Sequence, residues 1–405
     1  MVGEGGDWSA TARLVLERYD RQLRLQGWDQ SKIQAATVLI AGVGALGCEV
    51  SKNLALMGIG KLVLVDNDVV ELSNLSRQML FADSDIGMPK SVVAERRLRE
   101  MNPHVATKAL NGDVRQLSQE LFKDVDVICA CVDNWPTRRW LNSLAVELGK
   151  PLVDVAMEGF YANVQVIIPG KTACIECHGD SIIPKEVQVA ECTLRKRKPE
   201  DLVNELKQHG VEISMEHAQA LFKAGIKTVF DIKYTPQASM SELDGEVVGL
   251  VNRLRKELRP KMPALQSVAA AISGIASVEV VKLLHQGSLG KPFSGLIIYD
   301  ALAARSTRVP LKRNRECFVC GDYVKTSGIT IHLKSDETVL DLKEILASSY
   351  MYPDAEIQHR TRLLADDVRL SELTIEADEV LYIHTTRRAQ PLALKVVLDE
   401  DSDRR

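Results

Sequence analysis

Along the first half of the chain, short apolar runs alternate with amphipathic stretches, and glycine or polar turns separate the two. Strands read at 37–41, 61–65, about 105–110, 125–131 and 151–156. Helical periodicity falls between them, near 45–57, 88–101, 115–122 and 136–148. Such alternation predicts an α/β domain: a doubly wound, mostly parallel sheet with helices on both faces. A charged helix over Thr11–Gln26 is expected ahead of it, and Asn163–Pro169 reads as a further strand.

The texture changes at 178–262, which is charged and carries only weak helical patterns at Asp201–His209 and Ser214–Ala224. We read it as a helical insertion dividing the α/β domain into a first part, 1–177, and a second, 263–325. The second part opens with the apolar, small-residue helix Ala264–Leu284 and the strand Gly295–Tyr299. Residues 326–388 form a small α+β unit: a strand at Ile329–Leu333, a helix at Val339–Ser349, and strands near 356–364 and 379–384. Residues 389–405 are expected to be a tail, disordered from Asp399 onward.

Composition narrows the function. A net charge of -4 gives no global basic field for nucleic acid, so none is expected as a partner. The run Arg195–Lys198 is the one dense basic segment. No stretch is read as a membrane span, and the N-terminal residues lack the basic-then-apolar pattern of a secretory signal. A cytoplasmic location is expected. Eight cysteines in such a chain do not suggest a disulfide scaffold. Cys48, Cys129 and Cys131 fall in apolar patterns and read as buried small hydrophobes. Cys192 stands apart in a polar, charged segment.

Gly42-x-Gly44-x-x-Gly47 lies between a strand and a helix, where glycines let the backbone approach phosphate and the helix N-terminus supplies free N–H groups. Asp66 closes the second strand, placed to bind ribose hydroxyls. Alone, this fingerprint also suits a dinucleotide-dependent dehydrogenase or a structural glycine turn. The residues beyond Asp66 favour a nucleoside triphosphate. The run Asp66-Asn67-Asp68 through Asn74, Arg77 and Gln78 sets acids, amides and a guanidinium past a strand end, and Lys90 opens the next helix. A triphosphate carries more charge than a dinucleotide and calls for such cations together with a metal ligand. Asp133, at the C-terminal end of the fourth strand, is placed to hold Mg²⁺.

Arg18-Tyr19-Asp20-Arg21-Gln22, the glycine turn, Asp66-Asn67-Asp68, Leu72–Gln78, Lys90 and Asp133-Asn134 together resemble the ThiF/MoeB adenylation fold. Sulfur-carrier adenylyltransferases and ubiquitin-activating enzymes share this Rossmann-like domain. The resemblance implies that Asp66 binds ribose, with Asp68 beside it. It implies that Asn74, Arg77 and Lys90 contact ATP, that Asp133 holds Mg²⁺, and that Arg21 reaches the ATP of a partner subunit.

Cys174/Cys177 and Cys317/Cys320 form two Cys-x-x-Cys knuckles, the four thiolates that a closed tetrahedral structural zinc site requires. The resemblance points the same way. Cys174-Ile175-Glu176-Cys177-His178 also spells a c-type haem attachment motif, which would leave the second knuckle unused.

Glu191-Cys192-Thr193 resembles the Cys-Thr motif of the catalytic subunits that activate SUMO and NEDD8. Nearby cations such as Arg195–Lys198 would stabilise the thiolate a nucleophile needs. The unit at 326–388 resembles a β-grasp, ubiquitin-fold domain, which in that branch recruits a conjugating enzyme. Those subunits take the arginine from a separate inactive partner, whereas this chain carries Arg21 beside the full nucleotide set. A homodimeric activating enzyme, as in archaeal ubiquitin-like systems, is the implied form. The alternative is a sulfur-carrier adenylyltransferase of the MoeB type, which would need no catalytic cysteine.

Overall fold

The computed structural model describes residues 17–118, 120–179, 198–208, 210–227, 229–234, 243–258, 263–315, 317, 319–321, 329–334, 337–350, 352–359, 362–373, 381–385 and 391–399. They fall into two compact units, one of 1–133, 148–172 and 263–312, the other of 134–147, 173–262 and 313–405.

The first unit is built on eight strands: β1 Thr37–Ala41, β2 Lys61–Asp66, β3 Ala106–Asn111, β4 Val127–Ala130, β5 Leu152–Glu158, β6 Tyr161–Ile167, β7 Gly295–Asp300 and β8 Arg305–Pro310. Their order is β3-β2-β1-β4-β5-β6-β7-β8. The five from β3 to β5 are parallel, and the rest are antiparallel. From β1 the chain steps outward to β2 and β3, then returns to lay β4 against the free side of β1. That reversal leaves a crevice at the carboxyl ends of β1 and β4, where ligands of open α/β sheets bind.

Alternate residues of the central strands cover both faces. Val38, Ile40, Leu62 and Leu64 join one core with helices Ala45–Met57, Lys90–Met101 and Gln266–Leu284, while Leu39, Val63 and Ile128 are buried on the other side. Gln266–Leu284 is long and apolar enough to cross a membrane by length and composition. The expectation that no stretch has this character is corrected. About half of the helix is buried, and its small residues let it lie against Ala45–Met57 as a core element.

In the second unit, helices Pro199–Gln208, Met215–Lys223, Val229–Tyr234 and Gly245–Leu258 close around Leu202, Leu206, Leu221, Ile232, Val251 and Leu254. A separate sheet contains β9 Ile329–Lys334, β10 Glu356–His359, β11 Arg362–Leu363, β12 Leu381–His384 and β13 Leu392–Asp399, in the order β11-β10-β12-β13-β9. Helix Val339–Ser349 begins at a Thr338/Asp341 capping box and packs Val339, Leu342 and Leu346 into the same core as Ile331, Ile357 and Ile383.

Three expectations differ. The helix read at 115–122 is a 3-10 turn, Val114–Gln116, followed by the four-residue helix Glu120–Lys123. Of the helix read at Thr11–Gln26, the described part contains Asp20–Leu23. The tail assigned to 389–405 contains β13, which lies between β12 and β9 and is central to its sheet.

Candidate nucleotide and metal sites

The glycine turn leaves β1 at Gly42, whose φ of +85° lies in the left-handed region. A Cβ there would sit 2.6 Å from the Cys131 carbonyl oxygen, at the end of β4. A Cβ on Gly47 would meet the Gly42 carbonyl oxygen at 1.9 Å. Both glycines are therefore demanded by the fold itself. Gly44 is different. It is the N-cap of helix Ala45–Met57, with ordinary φ, and a Cβ would find its nearest neighbour, Gln78 Nε2, 3.9 Å away. Space in front of Gly44 is open, as a phosphate cradle at a helix N-terminus requires. Replacing Gly44 by Ala should leave stability within about 0.5 kcal/mol yet weaken ATP about tenfold, ~1.4 kcal/mol. Gly47→Ala should instead cost about 1–3 kcal/mol of stability. Melting curves and ATP titrations of both variants check the contrast.

Asp66 shapes the turn from the end of β2. Its Oδ2 accepts from Val43 N at 2.6 Å and its Oδ1 from Asp68 N at 2.8 Å. Burial pushes its carboxyl above the usual carboxylate range, against the pull of the Lys90 ammonium. Lys90 Nζ donates to Asp68 Oδ2 at 2.9 Å. Burial alone would lower the Lys90 pKa, but Asp66, Asp68 and Asp133 outweigh it and hold the ammonium above its ordinary value. Asp133 is exposed just beyond β4. Three carboxylates around one ammonium are an excess of negative charge that suits a divalent cation, and a polyphosphate once that cation is present.

The remaining predicted residues divide. Asn74 is buried, and its Oδ1 accepts from Glu71 N at 3.0 Å, so the side chain braces the 3-10 turn Leu72–Asn74. Arg77 Nη1 donates to Ser73 O at 2.7 Å in the same loop. Arg21 is exposed on Asp20–Leu23, between two anchored neighbours. Tyr19 is buried with its hydroxyl accepting from Asn102 Nδ2 at 2.8 Å, and Gln22 Nε2 donates to Met57 O at 2.8 Å. The segment is thus pinned while Arg21 faces outward, in no hydrogen bond with the glycine turn or its acids. Cys192, like Arg195–Arg197, lies outside the described residues. Cys48, Cys129 and Cys131 are buried as expected, and burial pushes the Cys48 thiol up.

Gln78 has no role that the sequence alone assigns. It is buried against Gly44, and its Oε1 has no hydrogen-bond partner among the described residues. A buried amide oxygen left without a partner beside an open cradle fits a site completed by a ligand.

In the second unit, Cys174, Cys177, Cys317 and Cys320 bring their sulfurs within 4.8 Å of one another. Sγ separations are 3.6 Å for Cys174–Cys317, 3.9 Å for Cys174–Cys177 and 3.3 Å for Cys177–Cys320. A zinc ion with bonds of about 2.3 Å sets tetrahedral sulfurs at roughly 3.8 Å, so the donor set fits. Asn314 N donates to Cys177 Sγ at 3.3 Å. Metal analysis should find about one Zn²⁺ per chain, and Cys317→Ser should lose it and melt several degrees lower.

A glycine turn and a lysine among acids, at the switch point of a parallel sheet, define a nucleotide-binding α/β domain. The chain belongs to the ThiF family, which matches residues 19–319. It is 29% identical over 328 residues to the NEDD8-activating enzyme E1 catalytic subunit of Arabidopsis thaliana, covering 76% of this chain and 69% of that one. It is 36% identical over 182 residues to SUMO-activating enzyme subunit 2 of Dictyostelium discoideum, covering 44% of this chain and 27% of the relative. Among solved structures, E. coli MccB with SeMet MccA shares the fold at a TM-score of 0.51 and 20% identity, over 77% of this chain and 81% of that one.

Proposed function

We propose that this chain is a ubiquitin-like-modifier-activating enzyme, which adenylates the modifier's C-terminal glycine carboxylate and then holds it as a thioester on Cys192. Membership of the ThiF family, with relatives named as NEDD8- and SUMO-activating enzymes, supports the class. The single observation that carries the site is Lys90, held protonated among Asp66, Asp68 and Asp133 beside the open Gly44 cradle.

In the adenylation step a carboxylate oxygen bonds to the ATP α-phosphorus and the bond to pyrophosphate breaks. Lys90 and Arg77 offset charge on the leaving pyrophosphate. Asp133 would hold Mg²⁺, which supplies electrophilic assistance when bound. Arg21 serves the ATP of a second copy, in a homodimer. Cys192 thiolate then attacks the acyl-adenylate carbon and AMP leaves. We read the sheet β9–β13 with helix Val339–Ser349 as a ubiquitin-fold, β-grasp domain that docks the conjugating enzyme, and we place the protein in the cytoplasm.

The test is ATP–pyrophosphate exchange. Exchange should depend on a modifier ending in Gly-Gly, and deletion of that dipeptide should abolish it. Exchange indifferent to the modifier's tail would overturn the reading.

A further inference from the structure

Gln78 is held in place by its backbone. Its N–H donates to Asn74 O at 2.9 Å, and its carbonyl oxygen accepts from Phe81 N at 3.1 Å. Two residues on, the Leu80 N–H meets the Cys48 thiol, one turn inside helix Ala45–Met57. The loop is thus seated on the first turn of that helix, with Gln78 beside its N-cap, Gly44. The residue is only 4% exposed, yet the fold makes no use of its carboxamide. Oε1 is buried without a hydrogen-bond partner, and Nε2 forms no hydrogen bond either, among the described residues. A buried acceptor left unpaired costs stability, and an apolar side chain of similar shape, such as methionine, would escape that cost. Glutamine is therefore explained by a group that the folded chain does not itself supply.

Nε2 lies 3.9 Å from a Cβ built on Gly44 and so borders the open space at the helix N-terminus. Asp66 already takes the Val43 N–H at 2.6 Å, which removes one backbone donor of the turn from that space. All of these residues belong to the first compact unit. We propose that Gln78 is a phosphate-binding residue: its Nε2 donates a hydrogen bond to a phosphate oxygen of the nucleotide at the Gly44 cradle. The ligand class follows from the chemistry. A carboxamide nitrogen offers two N–H donors and no acceptor, and the helix start adds unpaired N–H groups and the positive end of its dipole. Both call for an anion. Lys90 supplies charge to such a site, whereas Gln78 supplies a neutral donor whose direction is set by a buried stem. This inference rests on the proposed ATP site.

Two readouts on the full-length protein test it: the melting temperature without ligand, and the Mg-ATP dissociation constant from calorimetry, with adenosine titrated in parallel. Gln78→Met should melt at or above the wild-type temperature, because the unpaired oxygen is gone. The same variant should bind Mg-ATP about tenfold more weakly, the scale of one hydrogen bond to a charged group. Adenosine, which carries the base and ribose without phosphate, should bind both proteins alike. Gln78→Leu gives the same readouts if Gln78→Met does not fold. If neither variant folds, or if weaker ATP binding comes with a lower melting temperature, the carboxamide serves the fold and the inference is overturned. Equal weakening of ATP and adenosine would put the amide on the nucleoside and overturn the phosphate contact. Wild-type ATP affinity in a folded variant overturns the inference and leaves the proposed function standing. A wild-type chain that binds no ATP overturns the proposed function, and this inference with it.

Discussion

Cys192→Ala is expected to abolish the covalent enzyme–modifier adduct while leaving modifier-dependent pyrophosphate exchange near the wild-type rate. The order of the steps dictates this. Adenylation consumes a carboxylate and ATP, and it is proposed to draw on Lys90, Asp133 and the glycine turn. The cysteine enters only after pyrophosphate has left. Incubating enzyme, Mg-ATP and modifier should therefore give a band of added mass that excess thiol removes, and only the wild type should give it. Cys192→Ser should give a slower, thiol-resistant oxygen ester, because a hydroxyl is the weaker nucleophile at neutral pH. A thioester persisting in Cys192→Ala would move the nucleophile elsewhere. Strong exchange with no thioester from any modifier would favour a sulfur-carrier adenylyltransferase.

The turn and strands that carry the proposed nucleotide site are legible in the sequence because their determinants are local. Gly42 and Gly47 mark a turn that other residues cannot make, and β1, β2 and helix Ala45–Met57 announce themselves by period. Where the pattern is weak, there are physical reasons for the miss. β8 is an edge strand, Arg-Ser-Thr-Arg-Val-Pro, and with few apolar residues it shows no alternation. Arginine and proline are residues that guard a sheet edge against pairing with other chains. β13 does alternate, with Leu392 and Leu394 buried, but its closeness to the acidic end of the chain hides it. Gly245–Leu258 spaces Val247, Leu250, Val251, Leu254 and Leu258 as a helix should, within a segment whose charge dominates a coarser reading.

Side-chain partnerships are the least legible. Glu176 and Arg139 are 37 positions apart, and no local period links them. Their pairing needs the fold. The same holds for Gln78, whose neighbour Gly44 lies on another element. Asn74 shows the converse: the sequence offers it to a ligand, whereas its oxygen is committed to the Glu71 backbone. Its contribution is then to hold the loop that carries Arg77, and any contact with ATP falls to its remaining amide group.

Asp133→Ala should abolish modifier-dependent exchange without unfolding the chain. The residue is exposed beyond β4, so its loss opens no cavity in the core, and stability should stay within about 0.5 kcal/mol. Its loss removes one of the carboxylates that raise the Lys90 pKa and the one proposed to hold the metal. Exchange should fall by a factor of about 10³ or more, the scale set by removing a preorganised electrostatic group. Arg21→Ala should give a loss of the same kind for a different reason, since Arg21 is exposed and proposed to act on a second copy's ATP. Mixing the two inactive chains should then restore activity. A mixed dimer holds one site with both residues intact, and random pairing makes half the molecules mixed. Recovery of roughly a quarter of wild-type sites is the expected ceiling, if the sites act independently. Strict monomers at working concentration, or mixed dimers shown to form yet remaining inactive, would return Arg21 to its own subunit.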